Sequence, residues 1–140
     1  MSEHESFLDF NLDEVPELQI AKGNMEYQLR IEHAEIKESK GDKTAGQNML
    51  ALRCKIEDEP NTQSVFEYIM LPSNEIDQEA NDQRKRALKR LVEAVGLDPA
   101  RGFNIDELVG QTFWAILDEE EGGGFEPRNT IRKYMKSQAS

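Results

Sequence analysis

The chain is poor in the residues that most site chemistry needs. It has one cysteine and two histidines in 140 residues, and no apolar run near the ~18 residues of a membrane span. A single thiol, Cys54, cannot form an internal disulfide, which excludes a disulfide-stapled secreted scaffold. Hydrophobic residues make up 37% and aromatics 7%. That is enough for one modest core and too little for two full domains. Bases are also short: 17 Lys and Arg stand against 28 Asp and Glu, a net charge of −11. A basic footprint over the whole protein, for duplex DNA or an anionic membrane, is excluded. Any contact with nucleic acid must come from a local basic patch. The opening Met1-Ser2-Glu3-His4-Glu5-Ser6 is acidic and leads into no apolar segment, so it does not read as a signal peptide. The expected location is the cytoplasm, of a cell or of an infected host.

Catalytic sets are missing as well. A zinc site needs three or four ligands, and Cys54, His4 and His33 show no ligand spacing. Gly122-Gly123-Gly124 is not followed by Lys-Ser/Thr and leads into a strand, so it is not a phosphate loop. No Gly-x-Ser-x-Gly is present. Glu57-Asp58-Glu59 and Asp118-Glu119-Glu120-Glu121 could ligate Mg²⁺ in a nuclease, but no position forces the carboxylates to converge, and they read as solvated loop charge near strand ends. Cys54 falls in phase with Leu50, Leu52 and Ile56 and reads as a core thiol. No enzyme activity, cofactor or metal is expected.

What is present is unevenly spread. Residues 1–20 hold six acids and no Lys or Arg, yet carry Phe7, Leu8, Phe10, Leu12, Val15 and Leu18. Pro16 and the short runs argue against a long helix. This segment is expected to be an irregular arm packed on the domain. Residues 25–31 alternate with period two, and the phase slips before Ala34 and Ile36, which implies a bulge near Glu32-His33. Leu50, Leu52, Cys54 and Ile56 mark a second strand, and residues 65–71 a third, ended by Pro72. Ala80, Ala87, Leu88, Leu91, Val92 and Val95 then form one helical stripe. Asp77 or Asn74 would cap its start, and Gly96 its end. Asn104 and Glu107 form a capping box over one short turn. Strands at 112–117 and 125–135 follow, joined by the glycine tip.

The order is three strands, a helix and two strands, with a bent first strand. It predicts a mainly β protein: a five-stranded OB-fold barrel with one helix between strands 3 and 4 and a packed N-terminal arm. The competing architecture is an open α+β sheet under one covering helix. Domain limits are read as an acidic arm at 1–22, the OB domain at 23–136 and a short tail at 137–140.

Aromatics beside bases carry the functional signal. Single-strand binders need flat rings for bases and cations along the backbone. The second strand supplies Arg53 and Lys55, opposite Cys54. The third supplies Phe66 and Tyr68, and the fourth Trp114. The last supplies Phe125, Arg128, Arg132, Lys133, Tyr134 and, at its end, Lys136. An OB barrel binds on strands 2 and 3, flanked by loops 1-2 and 4-5. Two registers compete in the third strand. Glu67 in water would bury Phe66 and Tyr68, whereas burial of Val65, Ile69 and Leu71 would expose the rings. Trp114 suits a core position as well as a platform. The basic run at 84–90 reads as a solvated helix face, or as a partner for the acidic arm.

A set of sequence blocks begins with Phe7-Leu8-Asp9-Phe10-Asn11-Leu12-Asp13-Glu14-Val15-Pro16. It continues through Tyr27-Gln28-Leu29-Arg30-Ile31, Met49-Leu50-Ala51-Leu52, Leu91-Val92-Glu93-Ala94-Val95-Gly96-Leu97 and Leu108-Val109-Gly110-Gln111. It closes on Arg128-Asn129-Thr130-Ile131-Arg132-Lys133-Tyr134. In these blocks the chain resembles a family of small tailed-phage proteins of unknown function, encoded among replication and recombination genes and read as OB-fold single-stranded-DNA-binding proteins. The resemblance implies a non-enzymatic phage protein that binds single-stranded DNA in replication or recombination. Such binders often end in an acidic tail that recruits partners, but this chain ends Lys136-Ser137-Gln138-Ala139-Ser140. Recruitment of phage or host replication and recombination proteins would then fall to the acidic arm. Assembly into a homo-oligomer would multiply weak sites. The alternative is an acidic protein-interaction module, or a DNA mimic, that docks on a basic protein.

Overall fold

The computed structural model describes residues 6–122 and 124–136. His4, Gly123 of the glycine tip and the tail at 137–140 lie outside the described residues, as does the side chain of Phe125. Five strands and one helix follow in chain order: β1 (Met25–Glu38), β2 (Asn48–Ile56), β3 (Val65–Met70), α1 (Gln78–Ala94), β4 (Thr112–Gly122) and β5 (Phe125–Tyr134). A 3₁₀ turn (Ile105–Glu107) stands between α1 and β4.

The strands form one antiparallel sheet in the order β3-β2-β1-β4-β5. β1 is central and long because it changes partners along its length. Its first half pairs with β4 and its second half with β2, while Leu29 and Arg30 pair with both. The predicted bulge is there. Ile31 faces Cys54 and His33 faces Arg53, which leaves Glu32 unpaired and bends the strand. β3 and β5 are the two edges. Among the described residues no ladder joins them, so the sheet is open, but the edges touch. Tyr134 Oη on β5 donates to Glu67 Oε2 on β3 at 2.9 Å.

The inner face is a single apolar cluster. Leu29 and Ile31 meet Leu50, Leu52, Cys54 and Ile56, then Val65 and Ile69, then Phe113, Ala115 and Leu117. α1 closes it with Leu91, Ala94 and Val95 and packs on β3 and β5. Each large side chain buried this way contributes about 1.5–3 kcal/mol before the entropy of ordering the chain is subtracted. Asp77, not Asn74, caps the helix: its Oδ1 accepts from Ala80 N at 2.8 Å. Gly96, at φ +83°, ends it. Gly96 N donates to Glu93 O and Leu97 N to Val92 O, the paired bonds of a Schellman motif. The capping box of Asn104 and Glu107 is also formed.

The packed arm is a correction. Phe7, Leu8, Phe10, Leu12, Val15 and Leu18 are 51–74% exposed, and no helix forms before β1 among the described residues. The sheet holds only the root of the segment. Gln19 pairs with Thr62, and Asn129, buried on β5, clasps both the N–H and the C=O of Ala21. Before that root, Gln63 Nε2 reaches Leu18 O at 3.5 Å, the outer limit of a hydrogen bond. No helix among the described residues is long and apolar enough to cross a membrane.

Candidate functional site

β3 resolves its two registers in favour of exposed rings. Val65 and Ile69 are buried, while Phe66 and Tyr68 stand 52% and 53% exposed on the outer face of the sheet. Apolar burial decides the register, and Glu67 is carried inward with Val65 and Ile69. The cost of that placement shows in its chemistry. Burial raises the Glu67 carboxyl above the ordinary value, and bonds donated by Tyr134 Oη and Tyr68 N–H pull it partly back.

Pairing aligns the outer face in rows. His33, Arg53 and Phe66 lie side by side across β1, β2 and β3, and Glu35, Ala51 and Tyr68 form the next row. The small Ala51 leaves a shallow depression of about 100 Å³ between the rings and β1. Same-face neighbours on a strand are about 7 Å apart, so Phe66 and Tyr68 form a short platform beside the exposed Arg53. Glu35 lies 3.3 Å from His33 Nε2 and 3.8 Å from the Lys37 ammonium, which offsets its charge.

A larger groove, about 750 Å³, opens on the other side of β3, between β3, α1 and β5. Arg84 and Arg90 line it from α1, and Arg132 and Lys133 from β5. Glu67 and Tyr134 also line it, and Tyr68 borders both it and the shallow depression. Four cations thus share the lining of this groove with one half-buried carboxyl. Arg84 also ties the helix to the end of β3, donating to Leu71 O at 2.9 Å. A third notch, of about 250 Å³, joins Phe66 and Tyr68 to Arg128 and Thr130.

The ten residues singled out from the sequence therefore divide. Phe66, Tyr68 and Arg53 share the outer face. Arg132 and Lys133 share the groove, and a bulge explains why both reach outward: Ile116 pairs with Lys133 and Leu117 with Ile131, which skips Arg132. Arg132 also holds Asn24 Oδ1. Arg128 borders the notch and pairs with Glu120 at 2.8 Å. Tyr134 is a correction. The same bulge turns it inward, where it stacks at 37° on Phe113 with ring centroids 5.5 Å apart. Burial and the neighbouring Glu67 raise its hydroxyl. Its ring is not a platform for a base. Lys55 lies apart from the rings of β3: its ammonium donates to Pro60 O and Thr62 O and braces the loop before β3. Trp114 is 48% exposed, so it is not a core residue. It stands opposite Gln28 on the β4 side of the sheet, however, three strands from the rings of β3. Lys136 stands 3.8 Å from Glu93, beside the helix end.

Reading the basic run as a solvated face misses Arg84 and Arg90. Their signal is spacing: Ala80, Arg84, Ala87 and Leu91 follow one another at helical intervals, so Arg84 occupies a position on the apolar stripe itself. Cys54 is buried as expected, and burial, with the charges of Glu67 and Glu32, pushes its thiol up to about 12. Among the described residues no three of His, Cys, Asp and Glu gather to hold a metal ion. In comparisons with known proteins, no family model matches the chain, and no curated protein matches it at a significant level.

Proposed function

We propose that the protein binds single-stranded DNA without catalysing a reaction, in phage replication or recombination as the resemblance implies. Bases would stack on Phe66 and Tyr68, and the backbone would run over the edge of β3 into the groove of Arg84, Arg90, Arg132 and Lys133. The observation that carries this reading is the pairing of two half-exposed rings with a four-cation groove along one strand. In an otherwise acidic chain, that is the local basic patch the net charge demands. Stacking supplies about 1–3 kcal/mol per base and follows no sequence, while cations track any backbone.

We also propose that the sheet is a partly open OB-type barrel. The touching edges of β3 and β5, the hydrogen bond from Tyr134 to Glu67, and the placing of α1 at that seam all support it.

Fluorescence anisotropy of a labelled poly-dT oligonucleotide tests the function, with duplex of equal length as control. The reading expects single strands to bind more tightly than duplex, with an affinity that falls as salt rises. No binding at low salt would overturn it. The protein would then be read as an acidic module that docks on a basic partner.

A further inference from the structure

A second groove lies on the opposite side of α1 and is independent of the nucleic-acid reading. The helix shows Arg84, Ala87 and Arg90 to the first groove, and Lys85, Leu88, Lys89 and Val92 to the second. Pro99 and Phe103, from the loop after the helix, form the facing wall. The space is about 580 Å³. Its floor is apolar, Lys85, Lys89 and Arg101 stand at its rim, and none of the described carboxylates lines it. Arg101 pairs with Glu107 at 3.1 Å. Lys85 and Lys89 have no ion pair among the described residues. The groove therefore fits a segment that is apolar along one side and acidic along the other.

The N-terminal arm is such a segment. An extended chain points alternate side chains to opposite faces. Leu8, Phe10 and Leu12 then fall on one face, and Asp9, Asn11 and Asp13 on the other. From Leu8 to Leu12 an extended chain spans about 13 Å. From Lys85 to Val92 a helix rises about 10.5 Å, so the two stretches match in length. Within one copy the pairing is not made, because Leu8, Phe10 and Leu12 are 71–74% exposed.

We propose that the arm of one copy docks in this groove of a second copy. Leu8, Phe10 and Leu12 lie on Leu88, Val92 and Phe103, and Asp9 and Asp13 face Lys85 and Lys89. Reciprocal exchange closes as a two-fold dimer that buries both arms and both grooves.

Sedimentation velocity of the full chain, from low to high micromolar concentration, tests it. Wild type is expected to pass from monomer to dimer. Phe10→Ser with Leu12→Ser changes only exposed side chains and should weaken the dimer at least about tenfold. Lys85→Glu with Lys89→Glu should do the same, as should Asp9→Lys with Asp13→Lys. An equimolar mixture of the last two double variants should associate again, since each arm then meets a groove of opposite charge. A wild type that stays monomeric throughout overturns the proposal, and so does a dimer that survives all three double variants. Failure of the mixture to associate also overturns it. Binding of a short oligonucleotide by the same variants is expected to be unchanged, so this test and that of nucleic-acid binding fail separately.

Discussion

At the scale of single residues, the fold is governed by what each side chain loses on burial. Glu67 is the clearest case. Val65 and Ile69 take it inward, and the hydroxyl of Tyr134 gives it one strong partner. A carboxyl raised in the folded state binds more protons folded than unfolded between its two pKa values. Its contribution to stability is therefore fullest at low pH. It is lost as pH rises from about 4.3, the ordinary glutamate value, through the raised one. Glu67→Gln removes that loss. Urea midpoints from about pH 4 to pH 8 should show the variant gaining on wild type as pH rises. Tyr134→Phe leaves the buried carboxylate with only the Tyr68 N–H as donor and should cost about 1–3 kcal/mol of stability. It should change oligonucleotide affinity little, because the ring faces Phe113 rather than solvent. Cys54 should resist thiol reagents until the protein unfolds, since burial holds its thiol near 12. The inward turn of Tyr134 is not legible in the sequence. It depends on a one-residue bulge at Arg132, and nothing in Arg132-Lys133-Tyr134 reveals which residue is skipped.

At the scale of elements, periodicity and turn chemistry carry most of the information. The phase slip between Ile31 and Ala34 announces the bulge in β1, because a period of two admits no other explanation within one strand. Deleting Glu32 would restore a regular ladder, since His33 already faces Arg53 and Ala34 already faces Leu52, and His33, Glu35 and Lys37 would keep the outer face. The strand would lose its bend but none of its core residues, so the expected loss is about 0.5–3 kcal/mol, that of an ordinary substitution, read as a fall in the urea midpoint. The caps of α1 are legible because Asp77 and Gly96 act locally. The exposed arm is not. Its apolar residues suggest packing, but packing needs a surface to receive them, and no sequence pattern shows one. The register of β3 is also undecided at the level of sequence, since Glu67 and the two rings compete for the same face and only the rest of the core settles it. Trp114 is undecided there for the same reason. Arg84→Ala with Arg90→Ala should weaken binding to all single strands alike. Each phosphate left without its cation should lower the salt slope by about 0.7, measured from anisotropy titrations at several salt concentrations.

At the scale of the whole molecule, the charge of −11 and the basic groove are complementary facts. Bases are few, so their concentration around β3, α1 and β5 is a property of the fold. Arg53 joins the four cations of the groove, and neutralising about five phosphates would give a salt slope of no more than about 3.5. On the proposed function, affinity would then rest largely on Phe66 and Tyr68, the rings of β3. The most direct test is the dissociation constant for poly-dT of Phe66→Ala with Tyr68→Ala, compared with wild type under the same salt. Both side chains are half exposed, so the fold should survive their removal. Without two stacking platforms, binding should weaken at least about thirtyfold. A double variant that binds within about threefold of wild type would contradict the account, because β3 would then not be the surface on which bases lie.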